Sequence, residues 1–174
     1  DFGVSGEVDL EIGLGEVMPG HHYVSSPPAI IGDIAVVGSF IMDNQSTRQP
    51  PGVVRAYNVH TGQLVWAWDV LNESAHPPLA DGESFPLNTA NVWSVISVDE
   101  ELGLVYLPTG NVPPDFFGGF RSPEQDRYPS SIVALDAATG NVRWSFQTVH
   151  HDIWDYDIGA QPVLLDFPLS DGSL

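Results

Sequence analysis

The sequence predicts an all-β fold made of repeated hairpins, and three observations carry that expectation. Two segments, Arg55–Trp66 and Val133–Trp144, share the pattern Ala-x-Asx-x-x-Thr-Gly-x-x-x-Trp. Between them Val98–Leu107 is a weaker copy, its Asp99 lying 41 residues after Asn58 and 37 before Asp136. Glycine and proline number 17 and 15 in 174 residues, of which 43% are hydrophobic, a balance that suits many short strands joined by turns.

Each copy of the pattern reads as a strand ending in Asn or Asp, a tight turn whose glycine takes positive φ, and a second strand ending in Trp. A period near 40 residues, with a glycine turn and an aromatic anchor, indicates a β-propeller, in which each four-stranded blade buries its faces only against its neighbours. The other elements fit in order. Pro28–Gly38 is a hairpin turning at Gly32-Asp33, followed by a polar loop from Ser39 to Gly52. Long loops rich in Pro, Gly and Asp run from about Leu71 to Asn91 and from Thr109 to Pro129, and connections of this length in a compact domain usually carry function. Val142–Gln147 alternates large apolar residues as a strand does. Trp66 and Trp144 are expected as core residues. The approximate blade units are 23–69, 91–147 and an incomplete 148–174, in which a further hairpin is expected near Gly172. About three blades do not close a ring, so the chain is expected to be a portion of a longer polypeptide. The remainder of the propeller, or neighbouring chains, would cover its exposed edges.

Composition narrows function. Twenty-three Asp and Glu stand against five Arg and no Lys, for a net charge of −18. That field repels nucleic-acid phosphates and anionic membrane surfaces, and it favours a divalent cation held by clustered oxygens. There is no cysteine, so disulfides and thiolate metal sites are excluded. No stretch approaches the roughly 18 consecutive apolar residues of a membrane span.

The densest chemistry lies in His150-His151-Asp152-Ile153-Trp154-Asp155-Tyr156-Asp157, placed at a strand end where sites are commonly built. Three further places stand out: Asp43-Asn44 after the first hairpin, Trp93 before a strand, and Thr109-Gly110-Asn111 after one. Read as residues alone, Asp43-Asn44 can cap a loop, Asn111 can occupy a turn and Trp93 can fill a core. The residues also leave open whether Asp152, Asp155 or Asp157 is the acting acid. His150 and His151 offer zinc donors, which would make a zinc-dependent hydrolase, although adjacent residues rarely chelate one ion.

The run His150-His151-Asp152-x-Trp154-Asp155, followed by Ala160-Gln161-Pro162 and preceded by Pro123-Glu124-Gln125-x-Arg127-Tyr128, resembles the quinoprotein dehydrogenases that use pyrroloquinoline quinone (PQQ). Within them it is most similar to the membrane-bound glucose dehydrogenase branch, which includes quinate and shikimate enzymes. The resemblance extends from about Tyr23 to Pro168. It implies an eight-bladed propeller with Trp-docking repeats, Asp155 as catalytic base, and Trp93 as the floor beneath the cofactor. It further implies Asp43, Asn44 and Asn111 as ligands of Ca²⁺ or Mg²⁺, with Asn111 also beside PQQ, and a Ser39 hydroxyl offered to a cofactor carboxylate. The implied reaction oxidises a sugar, polyol or cyclitol, foremost glucose to gluconolactone. Electrons pass to ubiquinone at the periplasmic face of the inner membrane, the anchor lying elsewhere. With only Arg48, Arg55, Arg121, Arg127 and Arg143 available, the basic cofactor contacts are expected outside residues 1–174, and the piece alone is expected to be inactive. The alternative is a non-catalytic scaffold of the same repeat, like the outer-membrane assembly lipoproteins, which has no reason to keep Asp43, Trp93, Asn111 and Asp155 together.

Overall fold

The computed structural model of the chain describes residues 2–46 and 48–168, and every regular element among them is a β-strand. In chain order these are β1 (His22–Tyr23), β2 (Ala29–Ile31), β3 (Ile34–Val37), β4 (Phe40–Ile41), β5 (Val54–Asn58), β6 (Leu64–Trp68), β7 (Ser97–Asp99), β8 (Leu104–Pro108), β9 (Ser131–Asp136) and β10 (Val142–Gln147). They form two antiparallel four-stranded sheets, ordered β2-β3-β5-β6 and β7-β8-β9-β10. A separate two-stranded ladder joins β1 to β4, so the segment expected as loop from Ser39 begins with a short strand.

Each sheet is one blade, and each blade takes two hairpins. The 40-residue interval is therefore the spacing of hairpins, and the repeat proper recurs 78 residues apart, from Asn58 to Asp136. Val98–Leu107 is the first hairpin of the second blade, the counterpart of Ala29–Val37, rather than a unit of its own. Two blades are complete, residues 148–168 contain no strand, and the hairpin expected near Gly172 lies outside the described residues.

The Asx-Thr-Gly signature closes both turns by the same chemistry. Asn58 Oδ1 accepts from the backbone N–H of His60 and Thr61 and from the Thr61 hydroxyl, at 3.0, 2.9 and 3.2 Å. Asp136 Oδ1 does the same for Ala138, Thr139 and the Thr139 hydroxyl, at 3.2, 3.0 and 2.9 Å. The following glycines, Gly62 and Gly140, take φ of 72° and 71°, the left-handed conformation that a side chain disfavours.

The main core lies between the blades, where Val36, Val54, Ala56 and Trp66 meet Val105, Leu107, Val133 and Leu135. Trp66 locks the two together: its indole Nε1 donates to the Ala137 carbonyl at 2.8 Å, and its ring lies against Gly140. A Cβ at position 140 would fall 2.6 Å from the indole. Gly140→Ala is therefore expected to destabilise the full-length parent by about 1–2 kcal/mol from backbone conformation alone, and by more if the indole is displaced. Chemical denaturation of parent and variant measures the difference.

Trp144 does not share that environment. It is 45% exposed, tilted against Tyr106 with ring centroids 5.9 Å apart, because it stands on the last described blade, where no described unit packs over it. A core role for Trp144 requires a further unit packed over it, which lies outside the described residues.

Candidate cofactor-binding and catalytic site

Loops leaving both blades and the β1–β4 ladder meet in a cleft of about 590 Å³. Asp43, Trp93 and Asp155 all line it, joined by Asp157 and by the aromatic pair Tyr23 and Phe40, whose rings stack at 4.6 Å and 26°. Each arrives for a local reason. Asp43 follows β4, which β1 holds in place. The Trp93 segment is fastened at three points: Val92 bridges to Ser39, and the hydroxyls of Ser25 and Ser26 donate to the carbonyls of Trp93 and Ser94 at 2.7 and 3.1 Å.

The acidic run after β10 divides its labour by hydrogen bonding. Asp152 is buried, and its carboxylate accepts from the Ser130 hydroxyl (2.8 Å) and from the backbone N–H of Trp154 (2.9 Å) and Tyr156 (2.8 Å). It therefore grips the chain on both sides of Asp155. Asp157 accepts from the Trp93 indole N–H at 2.7 Å and from the Asn111 backbone N–H at 2.5 Å. Asp155 sits between them with φ of 66°, a left-handed conformation uncommon outside glycine and frequent at functional sites. Among the described residues no hydrogen-bond donor reaches its carboxylate, which leaves it free to accept a proton. Burial, followed by the charges of Asp157, Asp43 and Asp152, raises its pKa, the direction that makes a carboxylate a stronger base.

The expected ligand residues separate. Asp43 faces the cleft, and its pKa is raised by burial and by the Asp157 charge. Asn44, with φ of 55°, is paired with the buried Asp115: its amide donates to Asp115 Oδ2 at 2.5 Å and its Oδ1 accepts from the Asp115 N–H at 3.1 Å. Asn111 is buried, its amide donating to the Asp115 carbonyl (3.2 Å) and its Oδ1 accepting from the Val112 N–H (2.8 Å). Asn111 is joined to the cleft through its backbone N–H on Asp157 rather than by its side chain. The Ser39 hydroxyl is buried with no hydrogen-bond partner among the described residues, one residue from the cleft-lining Phe40.

Asp115 was not singled out in the sequence, where it reads as one more loop acid. Its burial, then the charges of Asp43, Asp155 and Asp157, push its pKa up to about 7 against the Asn44 hydrogen bond. A carboxyl raised in this way holds its proton in the folded state while the unfolded chain has lost it. Its contribution to stability is full below the ordinary carboxylate range and is lost as pH rises through about 7. Relative to Asp115→Asn, the parent without metal is expected to lose stability between pH 4 and 7 and to change little above; thermal melts of both across that range check the sign.

The two histidines do not converge. His150 Nδ1 pairs with Gln147 Oε1 at 2.8 Å, and His151 Nδ1 with Asp126 Oδ2 at 2.6 Å. A single zinc ion bridging the pair is not what this geometry builds.

The whole chain, residues 1–174, matches the family described as "Glucose/ethanol/alcohol dehydrogenase, beta-propeller domain". The chain belongs to the PQQ-dependent dehydrogenase family. It is 43% identical to the glycerol dehydrogenase large subunit of Gluconobacter oxydans (strain 621H), over 98% of the chain and 23% of that protein. It is 44% identical to a quinate/shikimate dehydrogenase (quinone) of Acinetobacter baylyi, over 99% and 22%. With the quinoprotein glucose dehydrogenase of Escherichia coli (strain K12) the identity is 43%, over 97% and 21%. Among solved structures, the quinohemoprotein alcohol dehydrogenase ADHIIG of Pseudomonas putida HK5 superposes with a TM-score of 0.63 at 26% identity, over 82% of this chain and 22% of that one. The chain thus spans about a fifth of the length of the relatives it matches.

A PQQ-dependent dehydrogenase needs a place for a planar, oxygen-rich cofactor and a hard cation, and the cleft fits both in part. The Trp93 indole lines it, and an aromatic face suits stacking by a flat ring system. Asp43 and Asp155 present carboxyl groups raised first by burial and then by neighbouring carboxylates, Asp157 foremost, a field that a divalent cation would relieve. Among the described residues no three His, Asp or Glu side chains group as a metal site. No arginine is among the residues lining the cleft, so a cofactor's carboxylates would draw their cationic partners from elsewhere.

Proposed function

We propose that the chain is the substrate-facing portion of a PQQ-dependent dehydrogenase that oxidises a polyhydroxylated sugar, polyol or cyclitol, foremost glucose to gluconolactone. The observation that carries this reading is the convergence of Trp93, Asp43 and Asp155 on one cleft. Bound PQQ would supply the two-electron acceptor, with a Ca²⁺ or Mg²⁺ ion raising its electrophilicity. Asp43 would hold that ion, aided by Asn44 if its amide turns from Asp115. Trp93 would form the floor, and Ser39, whose hydroxyl lacks a partner among the described residues, would offer it to a cofactor carboxylate. Asp155 would take the substrate O–H proton while hydride leaves carbon for the quinone, a division of labour suited to a carboxylate with no competing donor. A non-catalytic propeller has no use for a strained, repulsive carboxyl cluster opposite an indole.

The relatives' substrates, glycerol, quinate or shikimate, and glucose, all carry several hydroxyls, which supports the substrate class. Delivery of electrons to ubiquinone at the periplasmic face of the inner membrane belongs to the same proposal. The test is the full-length parent reconstituted with PQQ and a divalent ion, assayed with an artificial electron acceptor against glucose, quinate and glycerol. Dye reduction with an aldose preferred supports the reading; turnover only with glycerol or quinate reassigns the substrate, and none with any polyol defeats it.

A further inference from the structure

Asp157 lies two residues beyond Asp155 and each of its carboxylate oxygens accepts a hydrogen bond. Oδ2 accepts from the Trp93 indole N–H at 2.7 Å, and Oδ1 accepts from the Asn111 backbone N–H at 2.5 Å, just past the end of β8. One side chain thus ties the indole to a strand end. The space it needs is made by Gly110, where a Cβ would stand 3.0 Å from one Asp157 oxygen, 3.1 Å from the other and 2.5 Å from Asn91 Oδ1. The same strip of chain continues around the ring. Gly159 lies against the far edge of the indole, where a Cβ would sit 3.0 Å from Cη2, and its carbonyl accepts from the Ser94 hydroxyl at 3.0 Å. Residues 157–159 therefore clasp the Trp93 ring from its N–H to its benzo edge.

We propose that Asp157 is a positioning residue that fixes the plane of the Trp93 indole and so sets the affinity of the cleft for a planar cofactor, leaving proton transfer to Asp155. The inference rests on the cofactor reading given above. A charge-assisted acceptor on the indole N–H is directional and stronger than a neutral one, and a ring held in the stacking plane before binding spares the ordering cost that a freely rotating indole would incur. Each Asp157 oxygen already accepts a hydrogen bond, whereas no described donor reaches the Asp155 carboxylate.

The test uses the full-length parent and the variants Asp157→Asn, Trp93→Phe and the double substitution. In the apoprotein, the ultraviolet resonance Raman band that reports indole N–H hydrogen bonding, assigned by its loss in Trp93→Phe, is expected to move toward a weaker bond in Asp157→Asn. In PQQ titrations with Ca²⁺ present, each single variant is expected to raise the dissociation constant about tenfold. The double variant is expected to be no worse than the weaker-binding single, because both remove the same bond. At saturating cofactor, kcat should change much less than affinity. An unmoved Raman band overturns the proposal, as do additive losses in the double variant. If Asp157→Asn does not fold, β-(3-benzothienyl)alanine in place of Trp93 still decides, since it keeps a fused bicyclic ring of the same shape and removes the N–H; unchanged affinity there overturns the clamp. A parent that binds no PQQ at all defeats the cofactor reading instead, while the apoprotein Raman comparison continues to decide the Asp157 bond.

Discussion

Asp155→Asn is expected to lower kcat of the full-length parent by about 10²–10⁴-fold, the span that a positioned general base contributes, while the absorbance of bound cofactor persists. The substitution isolates proton acceptance with little else disturbed. Asn tolerates the left-handed conformation that position 155 requires, φ of 66°, and has nearly the same shape. No described donor depends on the Asp155 carboxylate, so the exchange leaves no orphaned hydrogen bond. What disappears is a group whose pKa is raised by burial and by Asp157, Asp43 and Asp152. Steady-state kinetics with an artificial electron acceptor, beside a cofactor absorbance spectrum, make the measurement. Turnover within tenfold of the parent would remove Asp155 from the role and return attention to the neighbouring acids.

Asp152→Ala is expected to damage both stability and catalysis. The side chain is buried and accepts from Ser130, Trp154 and Tyr156. Its removal leaves three donors without their acceptor, for a cost of about 3 kcal/mol. The catalytic effect follows from position. The two backbone N–H groups it holds lie on either side of Asp155, and their loss loosens that residue's left-handed geometry. A displacement of about 1 Å at a reacting group can cost on the order of 10²-fold in rate. Arg121 braces the same corner, donating to the carbonyls of Asp152 at 2.5 Å and of Val112 at 2.9 Å, so the loop is expected to shift locally rather than unfold. Urea denaturation and kcat on one preparation separate the two effects. A variant with reduced stability and unchanged kcat would show that Asp152 serves the fold alone.

Local chemistry made the hairpins legible. The Asn58-x-x-Thr61-Gly62 and Asp136-x-x-Thr139-Gly140 turns are closed by their own side chains, so the pattern announces itself in sequence. Grouping hairpins into sheets depends on pairing between distant strands, such as β3 with β5 across residues 38–53, and a short repeat does not encode it. The same division runs through the site. That Asp43, Trp93 and Asp155 share one cleft was legible through position after or before strands and through the family resemblance. The roles of Asp115, Asp152 and Asp157 were not, because they are defined by partners 71, 22 and 64 residues away in sequence. The hydrogen bonds of the Asn111 side chain to Val112 and the Asp115 carbonyl likewise form only once the loop folds.

The decisive measurement is a crystal structure of the full-length parent with PQQ and a divalent cation bound. The account expects the quinone ring stacked on the Trp93 indole, the cation on Asp43, and the Asp155 carboxylate within about 3 Å of the position a substrate hydroxyl would take. Cofactor density in another cavity, or a Trp93 ring turned away from it with Asp155 and Asp43 facing solvent, would contradict it.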